Sequence, residues 1–225
     1  MSHRPTEFKD YDSVTTIVGM FDKPGLRYWY GKYGTRECER VSRESKSFGS
    51  EVHSLVFENP VSWIESLRSH TVARNIVDWC NQAGVKKILV EAEVVSHKYK
   101  YLGHPDLICN LTKSSDPGRV WILDWKTDST PTEKAHIYER WRDYALQLGG
   151  YVQAYYEMTG IKIEDGAMIR GVKDPNETPQ LDTRFQYHNL YSVWSKEFIK
   201  LRKVYDLYKG SDKWKGLFTS SFYGL

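Results

Sequence analysis

The sequence predicts a mixed α/β domain: a central mixed β-sheet flanked by helices, with an N-terminal helical and aromatic lobe. Three observations predict it. The middle of the chain carries three strand-like runs, "KKILVEAEVVS", "YLGHPDLICNL" and "VWILDWKT", rich in β-branched and aromatic residues and separated by turn signals such as "SSDPG". Helix-period apolar patterns lie on both sides of them. Two further strand-like runs, "GAMIRGV" and "TRFQYHNL", fall between the last two helical patterns. The order is α, βββ, α, ββ, α.

Residues 1–47 are polar and aromatic, broken into short pieces by Pro5, Pro24, Gly25, Gly31 and Gly34. Within them "SVTTIVGMF" suits a helical piece capped by Ser13, and "GLRYWYGKYG" is a basic, aromatic stretch. From Phe48 the pattern becomes helical, with Val52, Leu55 and Val56 at helical spacing. "VSWIESLRSHTVARNIVDWCNQAG" continues it through Ile64, Leu67, Ile76 and Trp79, with Pro60 as a break and Gly84 as a stop. After the three strands a long helix runs from about Glu133 to Met158, ended by Gly160. "SVWSKEFIKLRKVYDLYKG" is a final amphipathic helix. The 225 residues therefore read as one domain in three parts: an N-terminal helical part (1–84), a sheet core with the long helix (85–190) and a basic C-terminal helix (191–225).

Composition narrows the class. Apolar residues make up 40% and charged residues 27%, the balance of a folded soluble protein rather than a disordered one. The aromatic share of 14% is high, which serves either a core or base stacking. A net charge of +3 points only faintly to an anionic partner. Cys38, Cys80 and Cys109 are scattered and lack C-x-x-C spacing, against a disulfide framework, a zinc knuckle or a four-cysteine iron–sulfur cluster. No apolar stretch approaches the ~20 residues that span a bilayer, and "MSHRPTEFKDYDS" is too polar for a signal peptide. The expected compartment is the cytoplasm, with no membrane partner.

The chemistry is concentrated in "GHPDLICNLTKSSDPGRVWILDWKTD", residues 103–128. It places Asp106, Asp124 and Lys126 inside apolar runs, where an unpaired charge is costly. Strand side chains alternate, so Asp124 and Lys126 share one face and Trp125 points to the other. Asp106 lies beside Asp124 if the two runs pair as a hairpin, and Glu91 can contribute from a third strand. Two readings are open. The three charges can form a structural ion pair, or they can hold a hard divalent cation, which prefers carboxylate oxygens, with the lysine stabilising charge on a phosphate. In "GSEVH", Gly49 and His53 are four apart on a helix, so a partner can approach beside the imidazole. In "YALQLGGY", Tyr144, Gln147 and Tyr151 share a helix face.

Taken in order, "FGSEVH", "GHPD", "ILDWKTD" and "YALQLGGY" resemble the PD-(D/E)XK nucleases, and the RecB-like exonuclease branch in particular, which carries an upstream G-x-x-x-H and a downstream Q-x-x-x-Y. That branch includes phage and bacterial exonucleases and the mitochondrial genome maintenance exonuclease. The likeness extends over residues 13–156 and implies a restriction-endonuclease-like core. It implies that His53, Asp106 and Asp124 ligate Mg²⁺ or Mn²⁺, with the Trp125 carbonyl completing the shell, and that Lys126 is the catalytic lysine. Glu91 matches the acid that starts the strand before G-x-x-D, with Glu93 a competing choice. Gln147 and Tyr151 would position the lysine or DNA. The cysteine quartet of the iron–sulfur members is lacking, and no G-x-x-x-x-G-K-[ST] loop encodes a motor.

The expected activity is a metal-dependent deoxyribonuclease, an exonuclease acting on single-stranded DNA or duplex ends in replication, recombination or repair. A recombination or replication protein is a candidate partner, and the compartment would be the host cytoplasm if the chain is phage-encoded. Arg27 and Lys32, alternating with Tyr28, Trp29, Tyr30 and Tyr33 in the aromatic stretch, and Tyr144 suit stacking on bases and neutralising phosphates; filling the core is the competing use of those aromatics. Lys196, Lys200, Arg202, Lys203, Lys209, Lys213 and Lys215 make the final helix a second candidate DNA face, or simply a solvated one. A structure- or sequence-specific endonuclease of the same fold and a catalytically inactive DNA-binding module are the alternatives.

Overall fold

The computed structural model of the chain describes residues 8–21, 23–57, 70–128, 134–172 and 180–209. Pro60, Ile64, Leu67, Lys213 and Lys215 lie outside them. A five-stranded mixed sheet forms the centre. Its strands are β2 (Val85–Val90), β5 (Leu107–Leu111), β6 (Val120–Asp128), β7 (Asp165–Val172) and β8 (Gln180–Tyr187). They lie side by side in that order, and every pair is antiparallel except β6–β7. The parallel pair requires a crossover, which α5 (Lys134–Thr159) supplies. A small second sheet joins β1 (Asp12–Ser13), β4 (Tyr101–Gly103) and β3 (Val94–Ser96). The remaining helices are α1 (Val14–Val18), α2 (Pro24–Tyr33), α3 (Thr35–Phe57), α4 (Thr71–Ala83) and α6 (Ser195–Tyr208), the last entered through a π-helical turn, Leu190–Trp194. No helix among the described residues is long and apolar enough to cross a membrane.

The expected mixed sheet flanked by helices is what the chain forms. Strand alternation separates two cores. Ile108, Ile122, Met168 and Phe185 face α1, α5 and α6 together with Leu148, Val152 and Phe198. Leu107, Leu123, Trp125 and Ile169 face α3 and α4 with Val52, Val72 and Ile76. Ile122, Leu123 and Trp125 are almost fully buried, at about 1.5–3 kcal/mol each. That burial holds β6 in place although Asp124 is buried within it.

Several boundaries differ from expectation for identifiable reasons. "KKILVEAEVVS" is two strands in different sheets, because Glu91 adopts φ 46° and turns the chain between β2 and β3. "YLGHPDLICNL" likewise divides into β4 and β5, with Pro105 in the break, where its ring removes a ladder donor. Helix α3 begins at Thr35 rather than at Phe48, as its first turns are polar and carry no apolar stripe. Arg40 pairs there with Glu37 and Glu44 at helical spacing. The final "HNL" of the last expected strand is not extended, since Asn189 is left-handed at φ 58° and starts the π-helical turn. Ser13 caps α1, accepting from the Thr16 amide at 3.0 Å, and α4 stops at Gly84, both as expected.

Candidate active site

The hairpin of β5 and β6 pairs Leu107 with Leu123, which brings Asp106, one residue before β5, alongside Asp124. Beyond Leu123 strand β6 continues beside β7 as far as Asp128, while β5 has ended. The chain ends thus splay apart, and the exposed edge of β6 is met by a side chain. The Trp125 amide donates to Asp106 Oδ2 at 2.5 Å. A strand residue directs its N–H and C=O to the same side, so the Trp125 carbonyl also points toward the splayed edge. Its indole turns to the opposite core, edge-on to Trp79 at 6.4 Å.

Asp124 and Lys126 project from the α5 face, as alternation requires. The Lys126 ammonium is paired with Asp124 Oδ2. Gln147 on α5 donates toward both Asp124 oxygens at 3.4 and 3.5 Å and reaches the Tyr151 hydroxyl at 2.9 Å. Gly103 makes this approach possible, since a Cβ there would collide with the Tyr151 ring. From the other face α3 delivers His53, whose Nδ1 lies 3.3 Å from Asp106 Oδ1 and 3.9 Å from Glu91 Oε1. Gly49, one turn earlier, faces Thr127 on β6, with a Cβ only 3.2 Å from its hydroxyl. The two glycines let α3 and α5 close on the same strand end.

Electrostatics mark the cluster. Burial, and then the neighbouring Asp106, push the Asp124 carboxyl up to about 6 even though Lys126 and His53 pull it down. Burial works to lower the Lys126 pKa, but the carboxylates of Asp124 and Asp106 outweigh it and hold the ammonium above its usual value. His53 behaves alike: burial opposes its charge, while the Asp106 hydrogen bond and charge, with Asp124 behind, raise it. Tyr151 is raised far, first by burial and then by Asp124. Perturbed groups gathered at one strand end make it a candidate functional site. Glu91 adds backbone strain, a non-glycine residue with positive φ, tied by its N–H to the Asp106 carbonyl at 2.9 Å.

The expected residues are therefore brought together: His53, Glu91, Asp106, Asp124, Lys126, Gln147 and Tyr151 line one place. Glu93 is drawn away to His104, 3.6 Å off. The donors suit a hard cation chemically, with two carboxylates, an imidazole and a strand-edge carbonyl. Among the described residues, however, no three His, Cys, Asp or Glu side chains are gathered in a metal-holding group. Asp106 is turned to Trp125 and His53, and Asp124 to Lys126 and Gln147.

The DNA-facing expectations divide. Tyr144 is half-buried, edge-on to Phe185 at 5.4 Å, and near enough to Lys126 to interact with it electrostatically. On α2 Arg27 and Lys32 are exposed, whereas Trp29 and Tyr30 are half-buried and pack edge to face at 5.4 Å. Tyr28 and Tyr33, the other aromatics of that stretch, are the outward ones at 71% and 53% exposure. Arg202 is no solvated cation: it is buried against Asp12, the Tyr99 carbonyl and Tyr205. Lys209, just past the helix, also binds Asp12, at 2.8 Å, so the end of α6 is tied to β1. Sequence reading also missed Arg170, which the β6–β7 register sets beside Lys126; only strand pairing could have found it.

No protein-family model matches the chain, and no curated protein matches it either. Solved structures similar in fold include the following three. A candidate exonuclease from Eubacterium rectale is 15% identical with a TM-score of 0.47, over 90% of this chain and 82% of that one. An alkaline exonuclease from Laribacter hongkongensis is 12% identical with a TM-score of 0.41, over 88% and 87%. The protein SSO0001 is 14% identical with a TM-score of 0.45, over 93% and 81%. With TM-scores below 0.5, these similarities carry no weight for function, which rests on the site itself.

Proposed function

We propose that the protein is a metal-dependent deoxyribonuclease that hydrolyses phosphodiester bonds at DNA ends, on single strands or duplex termini. One observation carries this reading. Two neighbouring carboxylates, Asp106 and Asp124, converge at a strand end with Lys126 on the same face as Asp124, held by Gln147 and Tyr151. An ion pair for stability alone needs one acid, and the second raises the cost. His53, Asp106 and Asp124, with Glu91 and the Trp125 carbonyl at the margin, would hold Mg²⁺ or Mn²⁺. Such an ion supplies an acidified water and neutralises charge on a phosphate oxygen.

The chain's own groups do the positioning. Lys126 presents an ammonium that orients the attacking water and meets charge building on the phosphate. Gln147 fixes the Asp124 carboxylate, and Tyr151 fixes Gln147. Tyr144 beside Lys126, with Arg27, Trp29, Tyr30 and Lys32 on α2, would contact the DNA.

The test is digestion of 5′- and 3′-labelled single-stranded and duplex DNA, with Mn²⁺, Mg²⁺ or chelator, beside a supercoiled circle. Linear DNA should shorten only with metal, the circle should survive, and Lys126→Ala should be at least ~100-fold slower. A Lys126→Ala variant as fast as wild type sinks the mechanism, and a cut circle favours the endonuclease.

A DNA-binding module that does not cut is the second reading. The Lys126–Asp124 pair favours it, because it compensates the Asp124 charge without a metal. Calorimetry with Mn²⁺ separates the two. Binding abolished by Asp106→Ala and Asp124→Ala supports the nuclease; no binding, or binding unchanged by both, supports the module.

A further inference from the structure

Arg170 is 1% exposed and lies in the sheet beside the proposed site. The parallel β6–β7 ladder pairs it with Lys126, and Met168 with Asp124. Paired residues on neighbouring strands lie about 4.8 Å apart and project from the same face. Two contacts place the guanidinium on that face. It rests over the Phe185 ring, 5.6 Å from the centroid, and Phe185 belongs to the core beneath α5. Phe185 in turn meets Tyr144 edge to face at 5.4 Å, and Tyr144 is near enough to Lys126 to interact with it electrostatically. Lys126 therefore stands between unlike neighbours. Along its own strand is the Asp124 carboxylate and toward β5 that of Asp106; toward β7 are Arg170, whose ladder partner on β8 is Asp182, and two aromatic rings.

A lysine side chain is long, with four rotatable carbons, and orders only if its surroundings choose a direction. We infer that Arg170 is a positioning residue for Lys126: by bulk and like charge it closes the β7 side, so that the ammonium stays on Asp124. Phe185 is the platform that keeps the guanidinium there. Neither residue touches substrate. The inference concerns the same site as the nuclease reading but depends only on where the ammonium is held, so it can be tested without cleavage.

The experiment is a proton–nitrogen NMR correlation of lysine ammonium groups in the full chain without metal. The Lys126 signal is identified by its loss in Lys126→Met. An ammonium held in its ion pair exchanges its protons more slowly and gives a sharp signal, and this is expected in wild type and in Arg170→Lys. Arg170→Met, which keeps the bulk and removes the charge, should lose it. Absence in wild type, persistence in Arg170→Met or loss in both variants overturns the inference; loss in both would make the role one of packing. Thermal unfolding confirms that each variant folds. If Arg170→Met does not, Phe185→Leu is read instead: a signal weakened at least twofold is expected, and an unchanged one overturns the inference.

Kinetics then give a second readout. Arg170→Met should lower kcat tenfold or more with KM within twofold, and Arg170→Lys should restore most of it; equal losses in both variants overturn the inference. If wild type cuts no DNA, the nuclease reading fails while the NMR result still decides the role of Arg170.

Discussion

The carboxylate of Asp106 takes the place of a strand: its Oδ2 accepts the Trp125 amide at 2.5 Å where β5 has ended and β6 runs on. The same side chain is held to His53 through its other oxygen, at 3.3 Å. Asp106 thus has a structural duty, satisfying a buried N–H, and a proposed chemical one, and the two can be separated.

Asp106→Asn keeps an oxygen acceptor for the Trp125 amide, whereas Asp106→Ala leaves that donor unsatisfied, at about 1–3 kcal/mol. In metal-free protein the Ala variant should melt several degrees below wild type and the Asn variant close to it. Both should lose Mn²⁺ affinity in calorimetry. An Ala variant as stable as wild type would show that the N–H is satisfied by another group.

Asp124 gives a pH-dependent signature in the metal-free state. Its carboxyl is raised to about 6 in the folded chain by burial and by Asp106, so the folded state binds this proton more tightly than the unfolded state does. The sign follows: stability is lost as pH rises from the ordinary carboxyl range through 6, and the penalty is complete above it. Asp124→Asn removes the penalty. In chelator at pH 7.5 the variant should be more stable than wild type by on the order of 1–3 kcal/mol, converging below pH 4. Urea denaturation at a series of pH values measures the difference. A gap that widens toward acid would contradict it.

Gln147 donates to Asp124 and Tyr151 from within the site. Replacement by Leu should reduce nuclease activity or metal affinity by about 10–100-fold, the usual cost of losing a group that orients a ligand. Initial rates on labelled DNA and Mn²⁺ titration give the two numbers. Rates within twofold of wild type would reduce Gln147 to packing.

Gly103 should admit no side chain. A Cβ there collides with the Tyr151 ring, and relieving such overpacking costs about 1–3 kcal/mol. Gly103→Ala should lower stability by that amount in urea titration and reduce cleavage, since Tyr151 and Gln147 must shift together. A variant with wild-type rates and stability would mean that α5 is not held this closely.

The thiols of Cys80 and Cys109 are both pushed up to about 12, mainly by burial. At pH 8 the thiolate, which is the reactive form, is then roughly a thousandfold rarer than for a free cysteine. Iodoacetamide labelling read by peptide mass spectrometry should leave both unmodified in the native chain and label both in urea. Fast native labelling of either would show that its element opens readily.

Much of the site is legible in the residues themselves. Alternation alone puts Asp124 and Lys126 on one face with Trp125 opposite, and the helical spacing of Gln147 and Tyr151 puts both on one face of α5. The glycine at 49 announces a close approach, because a residue without Cβ marks where another element can come near, whereas the approach of Tyr151 to Gly103 is a tertiary fact. The rest are local facts, set by the 2.0 and 3.6 periods of the backbone. What only the tertiary structure decided is non-local. The division of "YLGHPDLICNL" and "KKILVEAEVVS" between two sheets depends on which strands pair. The duty of Asp106 to the Trp125 amide exists because β5 begins only at Leu107, one residue after it. The neighbour of Lys126 across the ladder, Arg170, is 44 positions away in sequence, and only the parallel register brings it there. Periodicity reports which way a side chain points. What it meets is decided by strand pairing and helix packing, whose energy comes from buried surface contributed by distant parts of the chain.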